Sequence, residues 1–155
     1  MGEALRQRLQ QEKFENATQE AILNLLVAAD HVRERIDRVC SRHGITRQQY
    51  NVLRILKGMH PDGYPRCEIS RRMIEKAPDV TRLIDRLEQQ GLVERARSED
   101  DRRHSVTRIA KKGLTLLDRM KPALDEIHGY FGERLSLADR RELSRICEGL
   151  YGEAE

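Results

Sequence analysis

One threonine and a set of arginines stand at spacings suited to holding a polyanion. Thr81, Arg82 and Arg86 fall within VTRLIDRLEQQ, and the two arginines, four residues apart, share one helical face. A guanidinium presents donors in a planar fork that matches a phosphate or the major-groove edge of guanine, and a threonine hydroxyl can donate to a phosphate. Arg102 and Arg103 follow in the stretch SEDDRR, with Arg97 just ahead of it and Arg71 upstream. This is chemistry of binding, not of bond making. No catalytic constellation accompanies it. His31, His43, His60, His104 and His128 are scattered, and no pair has the spacing of a helix-borne metal site. There is neither a phosphate-cradling glycine loop nor a G-x-S-x-G elbow. The chain reads as a non-enzyme with no cofactor and no metal.

The elements that must position these residues follow from periodicity. Val80, Leu83, Ile84 and Leu87 recur at helical spacing, so one face of that helix is buried and the arginine face is left outside. Pro78 suits its first turn, Asp79 complements its positive end, and Gly91 supplies a left-handed stop. Leu92–Arg97 and His104–Ile109 are strand-like, and the acidic loop between them makes a β-hairpin. Upstream, Thr46 caps a helix, Gln49 completes a capping box, and Ile45 with Tyr50 forms a hydrophobic staple. Val52, Leu53 and Leu56 form its buried face, and Gly58 closes it. HPDGYPR is a turn with room for a short strand. Cys67–Glu75 is predicted as a helix with Ile69, Met73 and Ile74 apolar and Arg71 and Arg72 exposed; Lys76 and Ala77 then link it tightly to Pro78. Two helices so joined suit a helix-turn-helix, and an ordinary helical hairpin is the plain alternative until the β-hairpin is added.

VTRLIDRLEQQGLVER, followed by S-x-x-DRR, a strand and KKG, resembles the MarR family of bacterial transcription regulators. The likeness is closest from Ile45 to Leu117, and Q-x-x-VLR-x-L matches the first helix of that family's DNA-binding lobe. The resemblance implies a winged helix-turn-helix and carries a DNA-contacting role onto Asp101, Arg102 and Arg103. Arginine suits insertion into a narrow, electronegative minor groove, which the acids of the loop would otherwise avoid. Asp85 lies on the reading helix, where a phosphate would repel it, and is expected to pair with a wing arginine and orient it. Asp85 and Asp101 are therefore read as supports of the wing. The family usually shows Thr or Ser where Ala110 stands, so a cap worth about 1 kcal/mol is missing there. The resemblance further implies relief of repression by a small aromatic or anionic effector held between a dimer base and the DNA lobes. Some members sense oxidants through a cysteine near the amino terminus, but this chain has none before Cys40.

Composition bounds the rest. The 155 residues make one domain's worth, 35% charged and 4% aromatic with no Trp, a balance that favours a solvated helical protein. Net charge is only +3, yet residues 66–112 hold 13 Lys and Arg against 9 Asp and Glu, while 129–155 hold 4 against 6. The positive charge gathers where the DNA-reading stretch lies. Cys40, Cys67 and Cys147 form neither a disulfide framework nor a zinc pattern. No apolar run is long enough to span a bilayer, MGEALRQRLQQEKF lacks a signal-peptide core, and a cytoplasmic location is expected. Met1–Asn16 is weakly helical. Ile22, Leu25, Leu26, Ala29, Val32, Ile36 and Val39 mark a long helix from Thr18 to Gly44. Beyond the wing, a helix from Ala110 is expected to kink near Lys121 because of Pro122. Ser136 caps a last helix with Leu143, Ile146, Cys147 and Leu150 on its inner side.

The expected fold is mostly α with a small β-wing. A winged helix-turn-helix lobe (46–113) joins terminal dimerisation helices (1–45 and 114–155). Neither end buries its apolar stripe alone, which calls for a homodimer reading two-fold, double-stranded operator DNA. The expected function is ligand-responsive transcriptional regulation, most often repression. The alternatives are a winged helix used for protein–protein assembly and a cysteine-based redox-sensing regulator.

Overall fold

The computed structural model describes residues 2–77, 79–97 and 105–152. The chain runs α1 (Glu3–Leu9), α2 (Ala17–Arg42), α3 (Arg47–Lys57), β1 (Tyr64–Pro65), α4 (Arg66–Arg72) and α5 (Val80–Gln89). It continues through β2 (Val93–Arg97), β3 (Ser105–Ile109), α6 (Lys111–Arg134) and α7 (Leu137–Tyr151). The three strands form one antiparallel sheet in the order β1-β3-β2. Within the hairpin, Val93 faces Ile109 and Arg95 faces Thr107. The fold is a winged helix-turn-helix with long helices at both ends.

Local chemistry places each helix start. Thr46 Oγ1 accepts the Gln49 N–H at 3.1 Å and Gln49 Oε1 accepts the Thr46 N–H at 2.9 Å, so α3 opens on a complete capping box. Asn16 Oδ1 accepts the Gln19 N–H at 2.9 Å and starts α2 one residue before Thr18. Ser136 and Asp139 repeat the reciprocal box at α7. Ala110 caps α6 with no side-chain bond. In its place Lys112 Nζ reaches the Gln90 carbonyl at 2.7 Å, tying the start of α6 to the end of α5.

The core lies between α3, α4, α5, the sheet and the facing halves of α2 and α6. Val52, Leu53, Leu56, Ile69, Leu87 and Met120 are wholly buried. Removing each such leucine or isoleucine from water contributes about 1.5–3 kcal/mol, which outweighs the propensity differences within these short helices. Gly113 lets α6 lie directly on the chain entering β2: a Cβ there would meet the Leu92 carbonyl oxygen at 2.3 Å.

Several expectations are corrected. The helix expected over Cys67–Glu75 ends at Arg72, because Met73 is extended and Asn51 Oδ1 takes the Ile74 N–H at 2.9 Å. Ile74 is consequently 87% exposed, not on the buried face, and the link between α4 and α5 already begins at Met73, longer than the tight two-residue link expected. Asp79 is the N-cap of α5, accepting the Arg82 N–H at 2.9 Å, while Pro78 lies outside the described residues. The helix of the first sixteen residues shrinks to α1, where Leu5 is the one buried side chain. Leu92 precedes the strand, and β3 begins at Ser105 with His104 outside the described residues. α6 runs as one helix with Pro122 inside it, on an exposed face where water can serve the carbonyl left without its donor; this continuity is distinct from the expected bend near Lys121. Leu143, Ile146 and Leu150 of α7 face outward in the single chain, and Cys147 is only half-buried.

Replacing Gly113 tests the packing of α6. Alanine favours a helix interior over glycine by about 1 kcal/mol, but its methyl would collide with Leu92 and with Ile109 Cγ1, 2.8 Å away. Overpacking of that kind costs about 1–3 kcal/mol, so Gly113→Ala should lower Tm by roughly 2–8 °C. A Tm equal to or above the parent's would mean that α6 shifts off Leu92 without cost.

Candidate nucleic-acid interface

α5 presents two unlike faces. Val80, Leu83, Ile84 and Leu87 are buried against the core, while Thr81, Arg82 and Arg86 are exposed on the other side. Gly91, at φ +70°, ends the helix: its N–H reaches the Glu88 carbonyl at 2.8 Å and the Leu92 N–H reaches Leu87 at 2.9 Å. This doubly bonded stop turns the chain sharply into β2, setting the wing beside the exposed face of α5.

The acids of α5 are engaged. Asp79 is spent as the cap. Arg95, in the middle of β2, reaches back over the helix; its Nη2 donates to Asp85 Oδ1 and its Nη1 to Glu88 Oε2 at 2.6 Å. The hydrogen bond to Asp85 chiefly, with the charge of Glu88, holds the Arg95 guanidinium above its ordinary pKa. These groups are about one-third to one-half exposed, so the clamp contributes little to stability. Its effect is geometric: it joins wing and helix and neutralises part of the acid charge beside Arg82 and Arg86. The wing arginine that meets Asp85 is thus Arg95.

The other candidates are distributed around this helix. Among the described residues, neither Arg82 nor Arg86 has a carboxylate partner; together with Gln48, Ala77, Asp79 and Leu83 they line a shallow groove of about 200 Å³ at the start of α5. Arg71 is exposed on α4, with Nη1 on Glu68 Oε1 at 2.7 Å. Arg97 ends β2 opposite Ser105. Asp101, Arg102 and Arg103 lie outside the described residues. Sequence reasoning missed Arg95, Gln48 and Lys112. The first was detectable, since Arg95 lies seven residues beyond Glu88 across a glycine stop, a separation at which the returning strand passes the helix. For Gln48 no signal distinguishes it from any polar residue in a first turn.

A second groove of about 290 Å³ opens where α2, α5 and α6 meet. Ile45, Leu92 and Leu116 line it together with His43, Lys112 and Arg119, and among the described residues no carboxylate does.

The cysteines occupy three different settings. Cys40 is fully buried in α2, Cys67 is exposed on α4 and Cys147 is half-buried on α7. Burial first, then the charge of Asp37, pushes the Cys40 thiol up to about 11. It is therefore a protonated thiol at neutral pH, a poor nucleophile and a poor target for oxidants. At pH 8 a maleimide should modify native Cys67 well before Cys40, which should react only in denaturant. Equal rates for the two native thiols would contradict this assignment.

Comparison with known proteins agrees with this geometry. The MarR family model matches residues 45–105, from two residues ahead of α3 to the first of β3. The HTH-type transcriptional regulator MhqR of Bacillus subtilis (strain 168) is 30% identical over 121 residues, 78% of this chain and 77% of that protein. The crystal structure of CouR from Rhodococcus jostii RHA1 bound to p-coumaroyl-CoA has a TM-score of 0.77 at 20% identity, covering 92% of this chain and 99% of that one. The S. aureus MepR–DNA complex gives 0.73 at 19% identity, covering 90% of this chain and 97% of the other. At those identities the two structures attest the fold, and MhqR carries the kinship over most of both sequences. The chain belongs to the MarR family of winged helix-turn-helix transcriptional regulators.

Proposed function

We propose that the chain is a sequence-specific DNA-binding repressor, working as a homodimer on a two-fold operator and released by a small effector. The observation that carries this reading is the bare face of α5. Thr81, Arg82 and Arg86 stand exposed there, while Asp79 and Asp85 are held by the helix cap and by Arg95. α5 enters the major groove; Thr81 holds a phosphate, and Arg82 and Arg86 read base edges. Arg71 and Arg97 add backbone contacts, and Arg102 and Arg103 reach the minor groove from the wing, with Asp101 in support. The MepR complex supports DNA as the partner of this fold.

The dimer reading rests on what the lone chain leaves uncovered. Ile22, Leu25 and Leu26 of α2 are 40–57% exposed, and Leu143, Ile146 and Leu150 of α7 are 44–67% exposed. Contiguous apolar faces of this kind mark interaction sites in soluble proteins. Residues 1–45 and 114–155 form the base, and 46–113 the reading lobe. The effector is a small aromatic or anionic molecule. The groove beside Lys112 and Arg119, lined by both apolar and cationic side chains, has suitable chemistry, and the structure of CouR bound to p-coumaroyl-CoA shows a protein of this fold holding such a molecule.

Selection of operators from a random duplex pool tests the reading. Thr81→Ala should weaken binding to all sequences alike. Arg82→Ala or Arg86→Ala should flatten the preference at one position of each half-site, a loss of roughly 1–3 kcal/mol of discrimination. Arg102→Ala or Arg103→Ala should make the log–log salt slope shallower by about 1 per lost phosphate contact. Unchanged consensus sequences for both α5 arginine variants would refute base readout by this face, and absence of any DNA retention would favour a protein–protein assembly module.

Sedimentation at micromolar concentration should give twice the 18.1 kDa chain mass. A well-folded monomer would remove the two-half-site reading.

A further inference from the structure

Between α4 and the reading helix, the described residues 73–77 and Asp79 have no regular structure of their own. Side chains from elsewhere hold this segment. Beside Asn51 and its bond to Ile74, the carboxylate of Glu75 receives Arg47 Nη2 at 3.2–3.3 Å and Arg33 Nε at 3.3 Å. Arg47 Nη1 turns the other way, onto Asp37 Oδ2 at 2.5 Å. Arg33 and Asp37 are one helical turn apart on α2, and Arg47 is the first residue of α3. The four groups form a closed circuit from α2 through the segment to α3 and back to α2, with two charges of each sign.

The circuit is more than surface decoration. The Arg47 side chain is only 25% exposed and that of Glu75 31%, and Arg47 Nε is buried without an acceptor among the described residues. The guanidinium is committed through its outer nitrogens to two carboxylates on different elements, which fixes their separation. α2 therefore holds Glu75 with its carboxyl-terminal half and carries the uncovered Ile22, Leu25 and Leu26 in its other half. α2 thus links the face proposed to meet a second copy to the carboxylate that stands four residues before Asp79, the N-cap of the reading helix.

We propose that Glu75 is a positioning residue for operator spacing: it fixes the reading helix relative to α2 and so sets the separation and rotation of the two reading heads. The inference rests on the homodimer reading above. One base pair of extra spacer moves a half-site by about 3.4 Å and turns it by about 35°, so a rigid pair of heads accepts few spacings. Without the circuit the segment slackens and each head follows its half-site.

The experiment measures binding of the full chain to duplexes carrying two copies of the selected half-site, separated by spacers varied one base pair at a time. The parent should prefer one spacing over its neighbours by tenfold or more. Glu75→Gln should cut that ratio to threefold or less with the half-site consensus and the Tm nearly unchanged, and Glu75→Asp should restore part of it. Arg33→Gln, which leaves the Arg47–Asp37 pair intact, should broaden spacing in the same way and serves if Glu75→Gln folds poorly. A uniform loss of affinity with an unchanged spacing ratio in both variants would overturn the inference while leaving the dimer reading in place. A parent with no spacing preference would overturn the two-half-site reading and this inference with it.

Discussion

The lobe depends on one constraint: α5 must be fully buried along one side and bare along the other. Ile84 and Leu87 are almost completely removed from water, and Leu83 and Val80 nearly so. That burial, several kcal/mol by area, is what allows a ten-residue helix to persist, since an isolated helix of that length is unstable in water. It also fixes the helix's rotation about its axis. A turn of one residue's angle would carry Leu87 outward and Arg86 into the core, where an unpaired guanidinium is far costlier than a lost leucine contact. The exposed arginines are thus placed by the apolar residues behind them.

Charge is arranged to suit that placement. α5 holds two acids and two bases, and Asp79 at its cap makes three acids against two, an unpromising balance for a surface proposed to meet phosphates. The fold resolves this by using the acids internally. Asp79 caps the helix, and Asp85 and Glu88 share Arg95 from the returning strand. Such exposed pairs add little to stability. They determine instead which side chains remain to face a partner, and they tie β2 to α5. At the far end of the segment before α5, Glu75 is used in the same way, between two arginines of the supporting helices.

The terminal helices show the opposite economy. α2 is well buried only where it meets the lobe, at Val39 and Cys40, and α7 has no buried side chain at all. Two helices with regular apolar stripes left in solvent would be marginal on their own. Their stripes become intelligible as halves of the dimer surface proposed above.

Much of this was determined by the sequence itself. The apolar period of Val80–Leu87, the capping box at Thr46–Gln49, the cap at Ser136 and the left-handed stop at Gly91 are local signals, each settled by a few neighbouring residues. Together with the strand-like stretches of the hairpin, they located the winged helix-turn-helix and its exposed face of Thr81, Arg82 and Arg86. What only the tertiary structure decided involves partners distant along the chain. α4 stops at Arg72 because Asn51, more than twenty residues earlier, takes the Ile74 N–H, a competition invisible in the local pattern of Ile69, Met73 and Ile74. Asp85 finds Arg95 only because the glycine stop folds β2 back along α5. Glu75, unremarkable in sequence, acquires its place from Arg33 and Arg47, which lie on two other helices. Periodicity reports which face of an element is buried; a single polar atom's partner depends on where separate elements come to rest, and only packing fixes that.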